Sequence, residues 1–229
     1  MEKIAIVTIA TGKYISLFEN LKSTIFDKFL VGHEKTIFLY TDCDYPETIN
    51  VKVKKILHLP WPLNTILRFN YFNTVIDELK QYDLIYYMDS DIIVNDLIDD
   101  EIIPKHNEII AVQHYWYENL IGTYETKNEK STAYVDENNL SVGQYCQACF
   151  FGAKTIDFIK MNSTLNKNVI QDFKNNTIAI WHDESHLNKY LLNVPCKRLH
   201  SGYAHPSVYD NILNKNIVKL LHKNSNGII

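Results

Sequence analysis

The segment Leu84-Ile85-Tyr86-Tyr87-Met88 is apolar or aromatic at every position, and Tyr82 extends the pattern upstream. A short apolar run of this kind suits a strand buried on both faces, as in an α/β sheet covered by helices on each side. It ends in Asp89-Ser90-Asp91. Alternation along an extended strand end sets the two carboxylates on one side. Two hard oxygen donors on one side suit a divalent cation that must also hold a diphosphate. Ligands of open α/β sheets gather at the carboxyl ends of strands, where this pair stands. Aspartate is also common wherever a strand enters a turn, so the tripeptide alone leaves both readings open.

Upstream, Lys3 to Ala10 reads as a first strand, with Gly12 giving backbone freedom in the turn that follows. Leu17, Phe18, Leu21, Ile25 and Phe29 have helical spacing and predict a helix from Ser16 to Leu30, stopped by Gly32. Lys35 to Tyr40 is a second strand, and the βαβ opening suggests a nucleotide-binding half. Neither GxGxxG nor GxxxxGK[ST] is present, which excludes a dinucleotide fingerprint and a P-loop. Val51 to Lys54 alternates as a half-exposed strand. After Leu59-Pro60-Trp61-Pro62, Asn64 is expected to cap one helix reaching about Lys80, with Ile66, Phe69, Phe72, Val75, Ile76 and Leu79 inward. Arg68 in its first turns is either a solvated helix residue or a phosphate or sugar contact.

Beyond the aspartate pair, Glu108 to Gln113 predicts a strand and residues 118–141 a long loop, of the type that tends to carry function. Tyr145 to Phe151 predicts a strand ended by Gly152, and Thr155 to Lys174 a helix. Ile178 to Trp181 is a short apolar run, and a further helix starts near Asp183, as cap or first-turn residue. No repeat, linker or low-complexity tract interrupts the chain, so residues 1–229 are expected to form one domain.

A net charge of −4 argues against nucleic acid as the main partner. No stretch approaches the ~18 apolar residues of a membrane span, and the N-terminus is patterned as a strand rather than a leader. A cytoplasmic protein without a membrane span is therefore expected. Cys43, Cys146, Cys149 and Cys196 are too scattered for a disulfide framework. Cys146-x-x-Cys149 lacks the second ligand pair of a zinc site, so small core residues on a strand are the simpler reading.

The densest group of ionisable residues is Trp181-His182-Asp183-Glu184-Ser185-His186-Leu187-Asn188-Lys189-Tyr190. Acidic residues in a first helical turn complement the helix dipole, which explains Asp183 and Glu184 but not the flanking Trp181 and two histidines. A zinc reading of His182 and His186 fails for want of a third ligand. The string resembles the signature of family six glycosyltransferases, the family of the histo-blood-group A and B transferases and the α1,3-galactosyltransferase. Further matches follow chain order: Lys13-Tyr14, Phe29-Leu30-Val31-Gly32-His33, Trp61 with Arg68, Asp89-Ser90-Asp91, and Ala111-Val112-Gln113-His114-Tyr115-Trp116-Tyr117. Thr123-Tyr124-Glu125, Ala133-Tyr134, Phe150-Phe151-Gly152 and Lys223-Asn224 complete them. The family's Tyr-Glu-Arg-Arg is Tyr124-Glu125-Thr126-Lys127 here, and its later C-terminal Arg is missing.

The resemblance implies a single GT-A type α/β domain with a Rossmann-like nucleotide-binding half and a mixed central sheet, in a soluble bacterial or phage-type member. It implies a retaining transfer of galactose or GalNAc from a UDP-sugar to the 3-hydroxyl of a β-galactoside. Asp89 and Asp91 would hold Mn²⁺ or a similar ion; relatives with Asn at both positions work without metal. Ile9, Ala10, Thr11 and Tyr14 would line the uridine, and Arg68 and Lys223 would add positive charge at the diphosphate. Gln147, Ala148, Cys149, His182 and Asp183 would surround the donor sugar. Gln113, Tyr115, Trp116 and Thr123 would receive the acceptor. Glu184 would lie near the anomeric carbon, as nucleophile or as stabiliser of an oxocarbenium ion. Two other readings share the motifs: an inactive sugar-nucleotide-binding module, and a metal-dependent nucleotidyltransferase, for which Thr11-Gly12-Lys13 is a thin phosphate loop.

Overall fold

The computed structural model describes residues 1–207, 217–221 and 223. The chain opens with β1 (Lys3–Ile9), α1 (Ile15–Lys28), β2 (Glu34–Thr41) and β3 (Val51–Lys55). Three short helices follow, α2 (Leu63–Ile66), α3 (Arg68–Asn73) and α4 (Ile76–Leu79), leading into β4 (Leu84–Met88) and β5 (Ile92–Val94). Then come β6 (Ile109–Gln113), β7 (Cys146–Lys154), α5 (Thr155–Lys174), α6 (His182–Leu191), β8 (Cys196–Leu199), β9 (His205–Pro206) and β10 (Val218–Leu220).

The seven-stranded main sheet has the order β3-β2-β1-β4-β7-β6-β8, and β5-β10-β9 form a small second sheet. Pairings are parallel from β3 to β4, while β7 runs antiparallel to both β4 and β6. This is a mixed α/β sheet of the GT-A type. Alternation explains why β4 is apolar throughout. Tyr86 and Met88 join Ile4 and Ile6 in the cluster that receives Phe18 and Leu21 of α1. Ile85 and Tyr87 join Ala5 and Val7 in the opposite cluster, with Phe69 and Phe72 of α3 and Phe158 and Met161 of α5. Each large apolar side chain so buried stabilises the fold by about 1.5–3 kcal/mol. The result is a rigid central strand carrying Asp89 and Asp91 at its end.

Three local expectations are corrected. Helix α1 stops at Lys28, not Leu30, and Gly32 is not the cause. Phe29 is extended and bridges to Ile98, and the Leu30 amide donates to the Ile98 carbonyl at 2.8 Å, so tertiary pairing draws the chain out of the helix. Leu30 takes φ 44°, and the buried Lys35 ammonium donates to its carbonyl at 3.0 Å. The single helix expected from Asn64 to Lys80 is three helices, with Pro62 rather than Asn64 at the first N-cap. The break at Leu67 adjoins Arg68, whose guanidinium turns to the β7 backbone at 2.7 Å, a buried contact that overrides helical continuity. Of the residues expected inward there, Ile76 alone is half-buried.

Gly152 does not end β7; it pairs with Tyr86 across the sheet. A Cβ there would lie 2.2 Å from the Tyr86 ring, so the glycine serves close strand approach rather than termination. The apolar run from Ile178 to Trp181 stays irregular, with Ile178, Ile180 and Trp181 exposed. The Ile180 amide instead donates to the buried Glu125 carboxylate at 2.7 Å. Glu125 also accepts from the amides of Lys127 and Asn128, and Asp172 accepts from Ser131 and Thr132. These buried carboxylates fasten the long loop 118–141 to the helical side of the sheet.

Candidate active site

Two adjoining cavities open at the carboxyl ends of β1 and β4. The first, of about 350 Å³, is lined by Ile9, Thr11, Tyr14, His58, Trp61, Asp91 and Lys223 among others. The second, of about 210 Å³, is lined by Gln147, Ala148, Cys149, Trp181, His182, Asp183 and Glu184. Thr65, Arg68 and Asp89 border both.

The second cavity owes its shape to an irregularity in β7. Ala111 of β6 pairs with Phe151, and the next residue, Val112, pairs with Gln147, so Ala148 to Phe150 bulge away from β6. Bulges free backbone groups and re-aim side chains, and are frequent beside active sites. Here the freed groups are taken up by the site itself. The Ala148 amide donates to Glu184 Oε2 at 3.0 Å, and its carbonyl accepts from Arg68 Nη1 at 2.7 Å. The Cys149 carbonyl accepts from the Asp89 amide at 2.9 Å. Asn188, fully buried on α6, accepts from the Cys146 amide and donates to the carbonyls of Cys146 and Glu184, at 2.8, 2.8 and 3.0 Å. The helix bearing Glu184 and the strand bearing Gln147 to Cys149 are thereby locked together.

Charge is unbalanced in this space. Arg68 Nε lies 3.1 Å from Asp183, its Nη2 3.7 Å from Asp89, and its guanidinium over the Tyr87 ring at 4.3 Å. Burial opposes the charge on Arg68, but Asp183 above all outweighs it and raises the pKa. Lys223 Nζ lies 3.7 Å from Asp91. Among the described residues, the carboxylates of Asp89, Asp91, Asp183 and Glu184 thus meet only Arg68 and Lys223 as cations. Burial, and then Asp89, push Asp91 up to about 6. Burial raises Asp183 to about 7 against the pull of Arg68, and burial raises Glu184 as well. Such a surplus of buried negative charge accepts a divalent cation readily.

Nearly all the residues expected at the donor come together here. Ala10 does not: it is fully buried and lines neither cavity. His182 begins α6 with φ 53°, a conformation non-glycine residues seldom adopt, and its ring meets Trp61 edge-on at 4.9 Å. His186 points elsewhere, into the core 3.6 Å from Asp172, and burial lowers its pKa to about 4. No group of three His, Cys, Asp or Glu suited to a metal occurs among the described residues, and the cysteines are free.

The residues expected at the acceptor lie outside both cavities. Tyr115 and Trp116 sit on a 3₁₀ turn with Trp116 57% exposed, and Gln113 donates to the Gly143 carbonyl at 2.8 Å. Thr123 reaches the Tyr117 hydroxyl at 3.4 Å. Tyr145 links the two regions: its buried hydroxyl lies between Glu184 and Thr123 without a well-formed hydrogen bond to either. Asn224 falls outside the described residues. His58, Asn64, Thr65, Tyr87 and Tyr145 were not anticipated. Their only sequence signal was proximity to motifs: His58 and Asn64 meet Thr11, and Tyr145 meets Glu184, far along the chain, while Thr65 and Tyr87 serve the nearby Arg68 and Asp89.

The sequence profile of Glycosyltransferase family 6 matches residues 2–226. The chain belongs to glycosyltransferase family 6. It is similar to the O-antigen biosynthesis glycosyltransferase WbnI of Escherichia coli, at 32% identity over 90% of this chain and 89% of that protein. It is also similar to the histo-blood group ABO system transferase 1 of Rattus norvegicus, at 27% identity over 88% of this chain and 60% of that one. A globoside alpha-1,3-N-acetylgalactosaminyltransferase 1 of Gallus gallus matches at 22% identity over 87% of this chain and 61% of its own length. This family 6 chain therefore spans nearly the whole bacterial relative but about three-fifths of the vertebrate ones. Membership implies a sugar-nucleotide donor and a glycan acceptor. No helix among the described residues is long and apolar enough to cross a membrane.

Proposed function

We propose that the chain transfers galactose from UDP-galactose to the 3-hydroxyl of a β-galactoside with retention, forming an α1,3 linkage, and that Mn²⁺ or a similar cation is required. One observation carries this reading: the two cavities meet at Arg68 and Asp89. A nucleoside in the first and a sugar in the second would place the diphosphate at the junction. Asp89 and Asp91 would hold the cation, a use that fits the unbalanced carboxylates around them. When bound, it would act as a Lewis acid on the departing diphosphate.

The chain's own residues supply the rest. Lys223, held at Asp91 and over the Tyr14 ring at 5.3 Å, adds positive charge beside the leaving group. Asp183, buried against Arg68, offers a fixed carboxylate to donor sugar hydroxyls. Glu184 keeps one oxygen on the Ala148 amide and turns its charge to the sugar cavity, as nucleophile or as partner of an oxocarbenium ion. The test is UDP release from UDP-galactose and UDP-GalNAc against a panel of galactosides, with the linkage read by NMR. A β-linked product would refute retention, and no galactoside-dependent release would refute the transfer.

The acceptor platform gives one prediction. Trp116, exposed beside Tyr115, offers an aromatic face to a sugar ring. Trp116→Ala should raise acceptor KM by about tenfold while donor hydrolysis stays near wild type. An unchanged acceptor KM with weakened UDP binding would remove Trp116 from the acceptor site.

Donor choice gives another. The Cys149 side chain is buried at the second cavity with Sγ 4.0 Å from Gln147 Oε1, while the Gln147 amide nitrogen donates to the Ala204 carbonyl at 3.2 Å. A packed wall of this kind rejects an added N-acetyl group by overlap. UDP-galactose should therefore win a direct competition with UDP-GalNAc, and Cys149→Gly should shift the ratio toward UDP-GalNAc by roughly tenfold. A wild-type preference for UDP-GalNAc would show that Cys149 does not crowd the sugar.

A further inference from the structure

Helix α6 carries Glu184, and through Asn188 it holds the β7 backbone. The same helix is also tied to the long loop 118–141, on which Thr123 stands. Lys189, in its last turn, donates to the Thr132 carbonyl at 2.8 Å. At its entrance, the Ile180 amide donates to Glu125 Oε2 at 2.7 Å. The other oxygen of Glu125 accepts from the loop's own amides, Lys127 at 3.3 Å and Asn128 at 3.1 Å. The Val135 amide donates to the Glu125 carbonyl at 2.8 Å, so the main chain of this residue is fixed as well.

Glu125 is 4% exposed, and its hydrogen-bond partners among the described residues are main-chain amides. A buried carboxylate disfavours folding unless hydrogen bonds compensate it. Closing the loop takes Oε1 alone, and a neutral glutamine oxygen would serve for that. Only a carboxylate accepts at both ends. The second oxygen reaches out of the loop to Ile180, just ahead of His182, Asp183 and Glu184. The loop thus grips α6 at both ends, which fixes the direction of the helix as well as its place.

We propose that Glu125 and Lys189 are positioning residues that align α6, and with it Glu184, with the loop that brings the acceptor. The proposal rests on the reading that places the acceptor at this loop and the anomeric carbon at Glu184, and deepens it. Transfer needs the galactoside hydroxyl, delivered by the loop, within bonding reach of that carbon. A misplacement of about 1 Å can cost about 10²-fold in rate. Hydrolysis of the donor needs only a water, which no loop delivers. Loosening either tie should therefore cost transfer and spare hydrolysis.

UDP release from UDP-galactose with Mn²⁺ present tests it, without lactose and at saturating lactose, with the trisaccharide product and free galactose quantified separately. Glu125→Gln leaves one oxygen to serve amides on two sides, and Lys189→Met keeps the stem but drops the ammonium. Each should lower the ratio of transfer to hydrolysis by about tenfold, while hydrolysis and calorimetric UDP affinity stay near wild type. Thermal midpoints confirm folding, and Lys189→Met decides the matter should Glu125→Gln fail to fold. A ratio unchanged in a folded variant overturns the alignment, as does a fall in transfer matched by an equal fall in hydrolysis. A wild type without lactose-dependent release overturns the acceptor reading and the proposal with it, and shows before any variant is compared.

Discussion

Glu184→Gln is expected to lower kcat for transfer by roughly 10³-fold, in the range for removing a charge that matters mainly in the transition state. The fold should not suffer. Glutamine can still accept from the Ala148 amide, the contact that Glu184 makes at 3.0 Å. Burial opposes the carboxylate's charge and raises its pKa, so the neutral side chain removes a cost carried by the native one. Activity and stability should then move apart: a thermal midpoint equal to or above wild type, with transfer nearly abolished. Steady-state kinetics and a melting curve on the same preparation check both. A near-wild-type kcat would remove Glu184 from the mechanism.

Asp89→Asn and Asp91→Asn should each cost at least about 100-fold in rate, and excess EDTA should silence the wild type. The metal should also be visible in stability. Bound only by the folded chain, Mn²⁺ should raise the wild-type thermal midpoint, and this shift should shrink in both variants. Without metal, Asp91→Asn should be no less stable than wild type, because it relieves a buried carboxylate that burial and Asp89 push up to about 6. Full activity in EDTA would sink the metal assignment.

The parts of this molecule legible in its sequence are those whose signal is local. Leu84 to Met88 announced a doubly covered strand because every position is apolar, and the helix Thr155–Lys174 runs between the ends expected of it. Long-range contacts decided the rest. Nothing near Leu30 says that Ile98 will draw it out of a helix, and Gly152 looks like a terminator until the Tyr86 ring is placed against it. The site divides in the same way. Asp89 with Asp91, and His182 to Glu184, are neighbours in sequence and could be read as groups. The ion pair of Arg68 with Asp183 and the contact of His58 with Thr11 join residues far apart in the chain, so only the folded backbone reveals them.

The bulge in β7 has a consequence for how such an enzyme can diverge. Arg68 and Glu184 grip the main chain of Ala148, not any side chain in the segment. The two side chains to which the proposed function gives the diphosphate and the anomeric carbon are therefore registered against a peptide unit that every amino acid except proline reproduces in full. The side chains at 147 and 149 border the second cavity without carrying that registration. Point changes there can retune which hexose is accepted while leaving Arg68 and Glu184 where they are. Under the proposed function, substrate preference and turnover would occupy the same few residues on separate chemical groups, an arrangement that would let new specificities arise without passing through an inactive intermediate.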